Sequence, residues 1–224
     1  MRRNNIFLIF GTLLLICSGC GQTLTDGINN NPNQITETQS IKSETIKEFN
    51  EKLDHIEDEQ SALEAVTYFA TYVEKNRTSR TKDQQVVQNQ ITSESPSVPQ
   101  ETLLKFAKIE LARKHPSKFQ ITEESNQQVS TKKLTNIMNS INLPGGAEPM
   151  SEDEVDTNRK LIKTQIPNLG GDTEDEMTPL EASVISFYML TGNAGKESEE
   201  SQLVADQSDI DVFTEKLLEE DNNE

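Results

Sequence analysis

The sequence has no tryptophan, and aromatic residues make up only 5% of the chain. Clefts that bind and cleave sugars normally use aromatic platforms, so this composition argues against a sugar-cleaving site. The 224 residues also contain only two histidines and two cysteines. Neither a disulfide framework nor a zinc site of the usual cysteine and histidine composition is therefore indicated.

Apolar residues are scarce and acidic residues abundant. Hydrophobic residues form 33% of the chain and the formal net charge is -17, so we expect a modest core and a strongly solvated surface. Residues 144–224 hold 21 acids against 5 bases, whereas residues 21–143 hold 17 against 14. Such a chain repels phosphate groups, which disfavours nucleic-acid binding and electrostatic adhesion to membranes. A solvated face is the ordinary explanation, and a basic partner or divalent cations are the alternative.

The first residues have the layout of a signal peptide, which we predict over 1–19. Arg2 and Arg3 precede an apolar run over 6–16, which is well short of the roughly 20 residues that a helix needs to cross a bilayer. Small residues then lead to Cys20, as at a cleavage site. The alternative is an ordinary secretory peptide that is cut elsewhere.

The run Ile16-Cys17-Ser18-Gly19-Cys20 resembles the lipobox of bacterial lipoproteins, although Cys17 stands where that family usually has leucine. The resemblance implies that Cys20 carries a membrane-anchoring lipid such as palmitate and becomes the first residue of the mature chain. It also implies a place in the cell envelope, in the outer membrane if the organism has one, because Gly21 is not acidic. It covers about the first 20 residues and implies nothing about activity.

The mature chain divides into a tether and a domain. Residues 20–40 are rich in Asn, Gln, Thr and Gly, so we predict a flexible, lipidated tether. A helical domain is predicted over 41–218, with a polar interruption at 76–100, and residues 219–224 are expected to fray.

The predicted fold class is all-α, a small irregular assembly of about six helices. Apolar residues recur at steps of three and four along each predicted helix. Capping boxes mark three N-termini, namely Ser61 with Glu64, Ser151 with Glu154, and Thr178 with Glu181. The segment 179–190 is apolar nearly all round and is predicted to be the centre of the core, while a final helix from Ser208 is predicted to lie on the surface. The only hairpin candidates are short and lie among polar residues: Val86, Val87 and Ile91, or Phe119 and Ile121.

Few residues suggest catalysis. His55 lies among acids and is interpreted as a solvated surface histidine, while His115 ends a helix, where its positive form favours the helix dipole. Nucleophile elbows, phosphate-binding loops and zinc-protease helices are absent from the sequence. Two pairs match the Ser-x-x-Lys spacing of penicillin-interacting enzymes without the accompanying motifs, and we interpret them as chance: Ser79 with Lys82, and Ser130 with Lys133.

The acidic loop after Gly170 and Gly171 is the best candidate for a specific ligand. Alternating carboxylates can surround a calcium ion, and the candidate ligands are Asp172, Glu174 and Glu176. The loop does not follow the EF-hand pattern, because it lacks the turn glycine and the final bidentate acid. The alternative is that these acids stabilise the dipole of the helix that begins near Thr178.

We interpret the chain as a noncatalytic cell-envelope lipoprotein that acts through protein contacts, as an accessory or assembly factor or a surface interaction protein. The acidic C-terminal half would be its contact face, and no cofactor is predicted. One alternative is a cation-binding or carboxylate-using envelope hydrolase, with the acidic loop in a concave site. Another is a small-ligand carrier, which would need a larger apolar pocket than we expect from this modest core.

Overall fold

Helices account for nearly all of the regular structure. The computed structural model describes residues 45–78, 96–119, 122, 126–141, 149–170, 176–192 and 203–219. Seven helices lie within these ranges: α1 (45–54), α2 (Glu59–Lys75), α3 (Gln100–Lys114), α4 (Thr131–Ser140), α5 (Glu152–Gln165), α6 (Pro179–Leu190) and α7 (Gln207–Leu218). Four strands have two residues each: β1 (Arg77–Thr78), β2 (Val129–Ser130), β3 (Glu176–Met177) and β4 (Leu203–Val204). The predicted all-α class is confirmed, with seven helices in the described ranges rather than about six.

Of the three predicted helix caps, two are found in the structure and one is wrong. The box that opens α5 forms as predicted, because the Ser151 hydroxyl accepts the Glu154 N–H and the Glu154 carboxylate accepts the Ser151 N–H at 2.8 Å. The prediction that Ser61 caps α2 is wrong. Asp58 is the capping residue and accepts the Ser61 N–H at 2.8 Å, while the Ser61 hydroxyl accepts the Asp58 N–H. Aspartate is as good a cap as serine, so the helix begins a turn earlier.

The third predicted box is half formed. Thr178 caps α6 by accepting the Glu181 N–H at 3.1 Å, and Pro179 occupies the first helical position, where its missing N–H has no cost. The Glu181 carboxylate, however, pairs with Arg159 of α5. The final helix begins at Gln207, behind an Asp206 cap, rather than at Ser208.

Helix α6 is the centre of the core, as predicted. Nine of its twelve residues are buried, and it contacts α2, α3, α5 and α7. Rings connect it to the N-terminal helices, because Phe187 lies 6.0 Å from Phe69 and Phe69 lies 5.5 Å from Phe49, measured between ring centroids. Helix α7 contributes only Leu217 to the buried set, which confirms its predicted surface position.

The strands are short and were not predicted. Strand β1 pairs with β4 in parallel, and β2 pairs with β3 antiparallel, with Val129 opposite Met177 and Ser130 opposite Glu176. Because β2 leads directly into α4 and β3 into α6, this pairing brings the N-termini of the two helices side by side. Of the predicted hairpin residues, Phe119 lies in an irregular segment after α3, and the others lie outside the described residues.

All described residues belong to one compact unit, Glu37–Glu224. Within the described ranges, no helix has the length and apolar character needed to cross a bilayer. The predicted signal peptide, Cys20 and the tether over 20–40 lie outside the described residues, as do 220–224.

Candidate functional site

Of the three predicted cation ligands, the structure describes only Glu176. It lies in β3, and its backbone carbonyl accepts a hydrogen bond from Arg159 Nη2 at 3.0 Å. Asp172 and Glu174 lie outside the described residues. Among the residues that the structure does describe, no three His, Cys, Asp or Glu side chains gather as a metal site would require. The cation site therefore stays a prediction.

A buried ion pair holds both ends of the acidic loop. Arg159 Nε donates to Glu181 Oε1 at 2.8 Å, and the two side chains are 5% and 0% exposed. Lys163 Nζ lies 3.7 Å from the same oxygen. Arg159 also holds Glu176, where the chain leaves the loop, and the Glu181 carboxylate lies against Gly170, where the chain enters it. Gly170 and Glu176 are thus both in contact with one charge pair.

The close approach of the Glu181 carboxylate leaves no room for a side chain at Gly170. Its φ of 71° lies in the left-handed region, and a Cβ added there would be 1.9 Å from Glu181 Oε2. Any side chain at this position would displace the buried carboxylate or the backbone. The contact explains why the chain has glycine at the start of the acidic loop.

Glu110 of α3 is a second buried acid beside this pair. Its side chain is fully buried, and neither carboxyl oxygen is hydrogen-bonded to a described residue. The pKa of Glu110 is raised from 4.5 to about 7, chiefly by burial and to a smaller extent by the nearby Glu181 carboxylate. The Thr178 hydroxyl, Lys114 and Arg113 act in the opposite direction and lower this pKa. Glu110 is therefore held largely as the neutral acid below neutral pH.

Two carboxyl groups in different electrostatic environments are a common arrangement for acid–base catalysis. Here, however, the side chains of Glu110 and Glu181 are both 0% exposed. A substrate bound at the surface could not reach either group. We therefore assign the pair to the packing of α3 and α5 against the N-terminus of α6.

Both histidines make structural contacts. His55 is exposed, and its Nδ1 lies 2.7 Å from the Glu51 carbonyl one turn earlier. His115 is the C-cap of α3, and its Nε2 lies 2.6 Å from the carbonyl of Ile56. A ring nitrogen that faces a carbonyl acts as a donor. His115 thus connects the end of α3 to the segment between α1 and α2.

The Ser-x-x-Lys spacing at Ser130 and Lys133 is explained by helix capping. The Ser130 hydroxyl caps α4 and accepts the backbone N–H of Lys133 at 3.1 Å. The Lys133 ammonium group donates to the backbone carbonyl of Glu219. Serine at a helix N-cap regularly bonds the third residue of the helix, which gives this spacing without any catalytic role. Ser79 and Lys82 lie outside the described residues.

An apolar groove between α6 and α7 was not predicted from the sequence. Its empty volume, including the space open to solvent, is about 480 Å³. Apolar side chains from four parts of the chain line it, among them Ile141, Phe187, Leu190, Leu203, Ala205, Ile210 and Phe213. Val204 also lines it and is 38% exposed. We call this feature the α6–α7 groove.

The polar side chains in the α6–α7 groove add little polarity to it. The hydroxyls of Ser183 and Ser186 donate to carbonyls of their own helix at 2.8 Å, to Pro179 and Ala182 respectively. Asp209, in the first turn of α7, also lines the groove, and its carboxylate accepts the N–H of Asp206 at 2.8 Å. The groove lining is therefore apolar except for two serines and one carboxylate.

Comparison of the chain with protein-family models, with curated proteins and with solved structures gave no match.

Proposed function

We propose that this protein is an exported cell-envelope lipoprotein, anchored through a lipid on Cys20, that acts through protein contacts as an accessory, assembly or surface interaction factor. The α6–α7 groove is the observation that carries the second part of the proposal. Several of its apolar side chains are partly exposed, including Leu190, Ile210 and Val204, although the chain as a whole is highly charged. Partly exposed apolar side chains gathered in one groove support a site that contacts another protein.

The anchoring part of the proposal rests on the sequence. The basic start, the short apolar run and the lipobox-like residues up to Cys20 support export and acylation. The polar tether over 20–40 would separate the helical domain from the membrane surface. With the anchor at one end and the groove in the C-terminal half, the domain could reach partners within the envelope.

The described residues that resemble catalytic groups have other roles. Ser130 caps a helix, His115 bonds a backbone carbonyl, and the Glu110 and Glu181 carboxyl groups are enclosed in the core. The alternative of a carboxylate-using hydrolase gains no support from this pair, because substrate has no route to it. These observations favour the contact function over the enzymatic one.

Metabolic labelling with a palmitate analogue in native membranes tests the anchor, followed by mild crosslinking and mass spectrometry to identify partners. We expect the wild-type protein to incorporate the label, to fractionate with membranes and to enrich a defined envelope complex. The Cys20→Ala variant should lose the label and the membrane association. The other cysteine offers a matched control, since Cys17→Leu introduces the residue that is usual at this lipobox position and should keep both.

Two results would contradict the proposal. A soluble wild-type protein with unmodified Cys20 would exclude the lipid anchor. An anchored protein that enriches no complex but hydrolyses an envelope polymer would exclude the contact function and support the hydrolase.

A further inference from the structure

The lining of the α6–α7 groove points to an apolar ligand. Residues from α6, α7, β4 and the end of α4 line it, so it is bounded by several elements rather than by one exposed helix face. Its serine hydroxyls are already bonded to α6 carbonyls. A ligand would therefore find few hydrogen-bonding groups on the floor, and affinity would come from burial of apolar side chains.

Charge beside the α6–α7 groove restricts the chemistry of that ligand. Asp206 and Asp209 lie together in the box that opens α7, and both are partly exposed. With the cap residues included, α7 carries five acids and a single lysine: Asp206, Asp209, Asp211, Glu215, Glu219 and Lys216. This field repels a fatty acid or an anionic phospholipid and attracts lysine and arginine.

Resting on the function proposed above, we infer that the α6–α7 groove binds an apolar segment of an envelope protein partner that is flanked by basic residues. The apolar part of this segment packs against Leu190, Ile210 and Phe213, which are partly exposed. A basic flank lies beside Asp209 and its cap partner Asp206, which carry the opposite charge.

A binding assay with defined peptides tests this inference. The full chain is reconstituted in nanodiscs of phosphatidylcholine, and empty nanodiscs provide the background. Two fluorescent peptides share one leucine- and valine-rich centre, and one is flanked by lysines while the other is flanked by glutamates. We expect fluorescence anisotropy to show saturable binding of the lysine-flanked peptide and weaker binding, by about tenfold or more, of its glutamate-flanked counterpart.

Two exposed apolar residues provide a matched pair of variants. Val204 at the edge of the α6–α7 groove is 38% exposed, and Leu161 on α5 is 37% exposed and lies outside the groove lining. We expect Val204→Lys to weaken binding of the lysine-flanked peptide about tenfold or more, because it places a like charge in the groove. Leu161→Lys makes the same change elsewhere and should leave the affinity unchanged.

A second pair of variants tests the charge while leaving the apolar lining of the groove unchanged. The double variant Asp206→Asn with Asp209→Asn retains the oxygen acceptors that cap α7 and should weaken binding roughly three- to tenfold. The control is Asp211→Asn with Glu215→Gln, which removes the same charge from exposed positions of the same helix outside the groove lining. Equal losses in the two double variants would show that general attraction, and not the groove, binds the peptide.

Other results would overturn the inference in distinguishable ways. Equal affinity for both peptides would show that charge does not select the ligand. Equal losses of affinity in Val204→Lys and Leu161→Lys would show that the groove is not the binding site. Self-association of the chain that excludes the peptide would identify a second copy as the occupant. If any of these occurs while the Cys20-dependent envelope complex is still recovered, this inference fails and the proposed function stands.

Discussion

Glu110 should make the stability of the fold depend on pH near neutrality. In the folded state burial raises the pKa of this carboxyl group from 4.5 to about 7. The native state therefore holds the proton more tightly than the unfolded chain does, and unfolding between these two pH values releases it. The contribution of Glu110 to the free energy of unfolding is therefore greatest at and below about pH 4.5. It falls as the pH rises towards 7 and stays low above that pH.

The size of the effect follows from the two pKa values of Glu110. Each unit of difference corresponds to about 1.4 kcal/mol, so the free energy of unfolding should fall by about 3 kcal/mol across this range. The side chain is fully buried, so solvent screening does not reduce the value. The loss is a large part of the roughly 5–15 kcal/mol that stabilises a typical domain.

Urea unfolding followed by circular dichroism at several pH values would measure the effect of Glu110. Wild type should lose stability between about pH 5 and pH 8, whereas Glu110→Gln, which carries no ionisable group at this position, should lose much less. Glu101→Gln removes an exposed acid from the same helix and should follow the wild-type profile. Parallel profiles for all three proteins would refute the assignment of the pH dependence to Glu110.

Three further substitutions, one of them with a matched control, test the structure. In thermal unfolding, Gly170→Ala should lower the free energy of unfolding by about 3 kcal/mol or more, because it combines left-handed backbone strain with a clash against Glu181. The control Gly192→Ala has a φ of 68° and no neighbour within 4 Å, so it should lower the free energy by only about 1–2 kcal/mol. Arg159→Met should cost about 3–5 kcal/mol in the same assay, since it leaves the Glu181 charge buried without its main partner; a loss below about 1 kcal/mol would contradict this. Ser130→Ala should cost about 1 kcal/mol through loss of the α4 cap, and no loss would show that the cap contributes little.

Local patterns were sufficient to predict most of the helices. The apolar character of α6 on all sides predicted its central position, because a helix without a polar face is stable only when it is surrounded. The cap of α2 was misassigned because Asp58 and Ser61 are both good caps and their spacing allows either to begin the helix. The strands could not be predicted, because two residues show no alternation.

The parts of the site that were missed depend on contacts between distant segments. In the sequence, Glu110 looks like an ordinary solvent-facing position of a two-faced helix. In the structure α3 is covered on several sides, so that Ile109 and Ala112 are buried as well as Glu110. The α6–α7 groove combines Ile141 with residues around 187 and 210, and only the folded chain brings these together. The apolar stripe of α7 was visible in the sequence, but not the opening beside it.

The parallel pairing of β1 with β4 constrains the order in which the molecule can fold. Arg77 pairs with Leu203, and the Leu203 N–H donates to the carbonyl of Asn76 at 3.0 Å. Closing a loop of well over a hundred residues is slow and entropically costly. A chain that emerges N-terminus first, from a ribosome or through a membrane, cannot form this contact until its final segment has followed. Strand β1 therefore has no partner strand until the last part of the chain is available, and a truncation before residue 203 would leave it unpaired with β4.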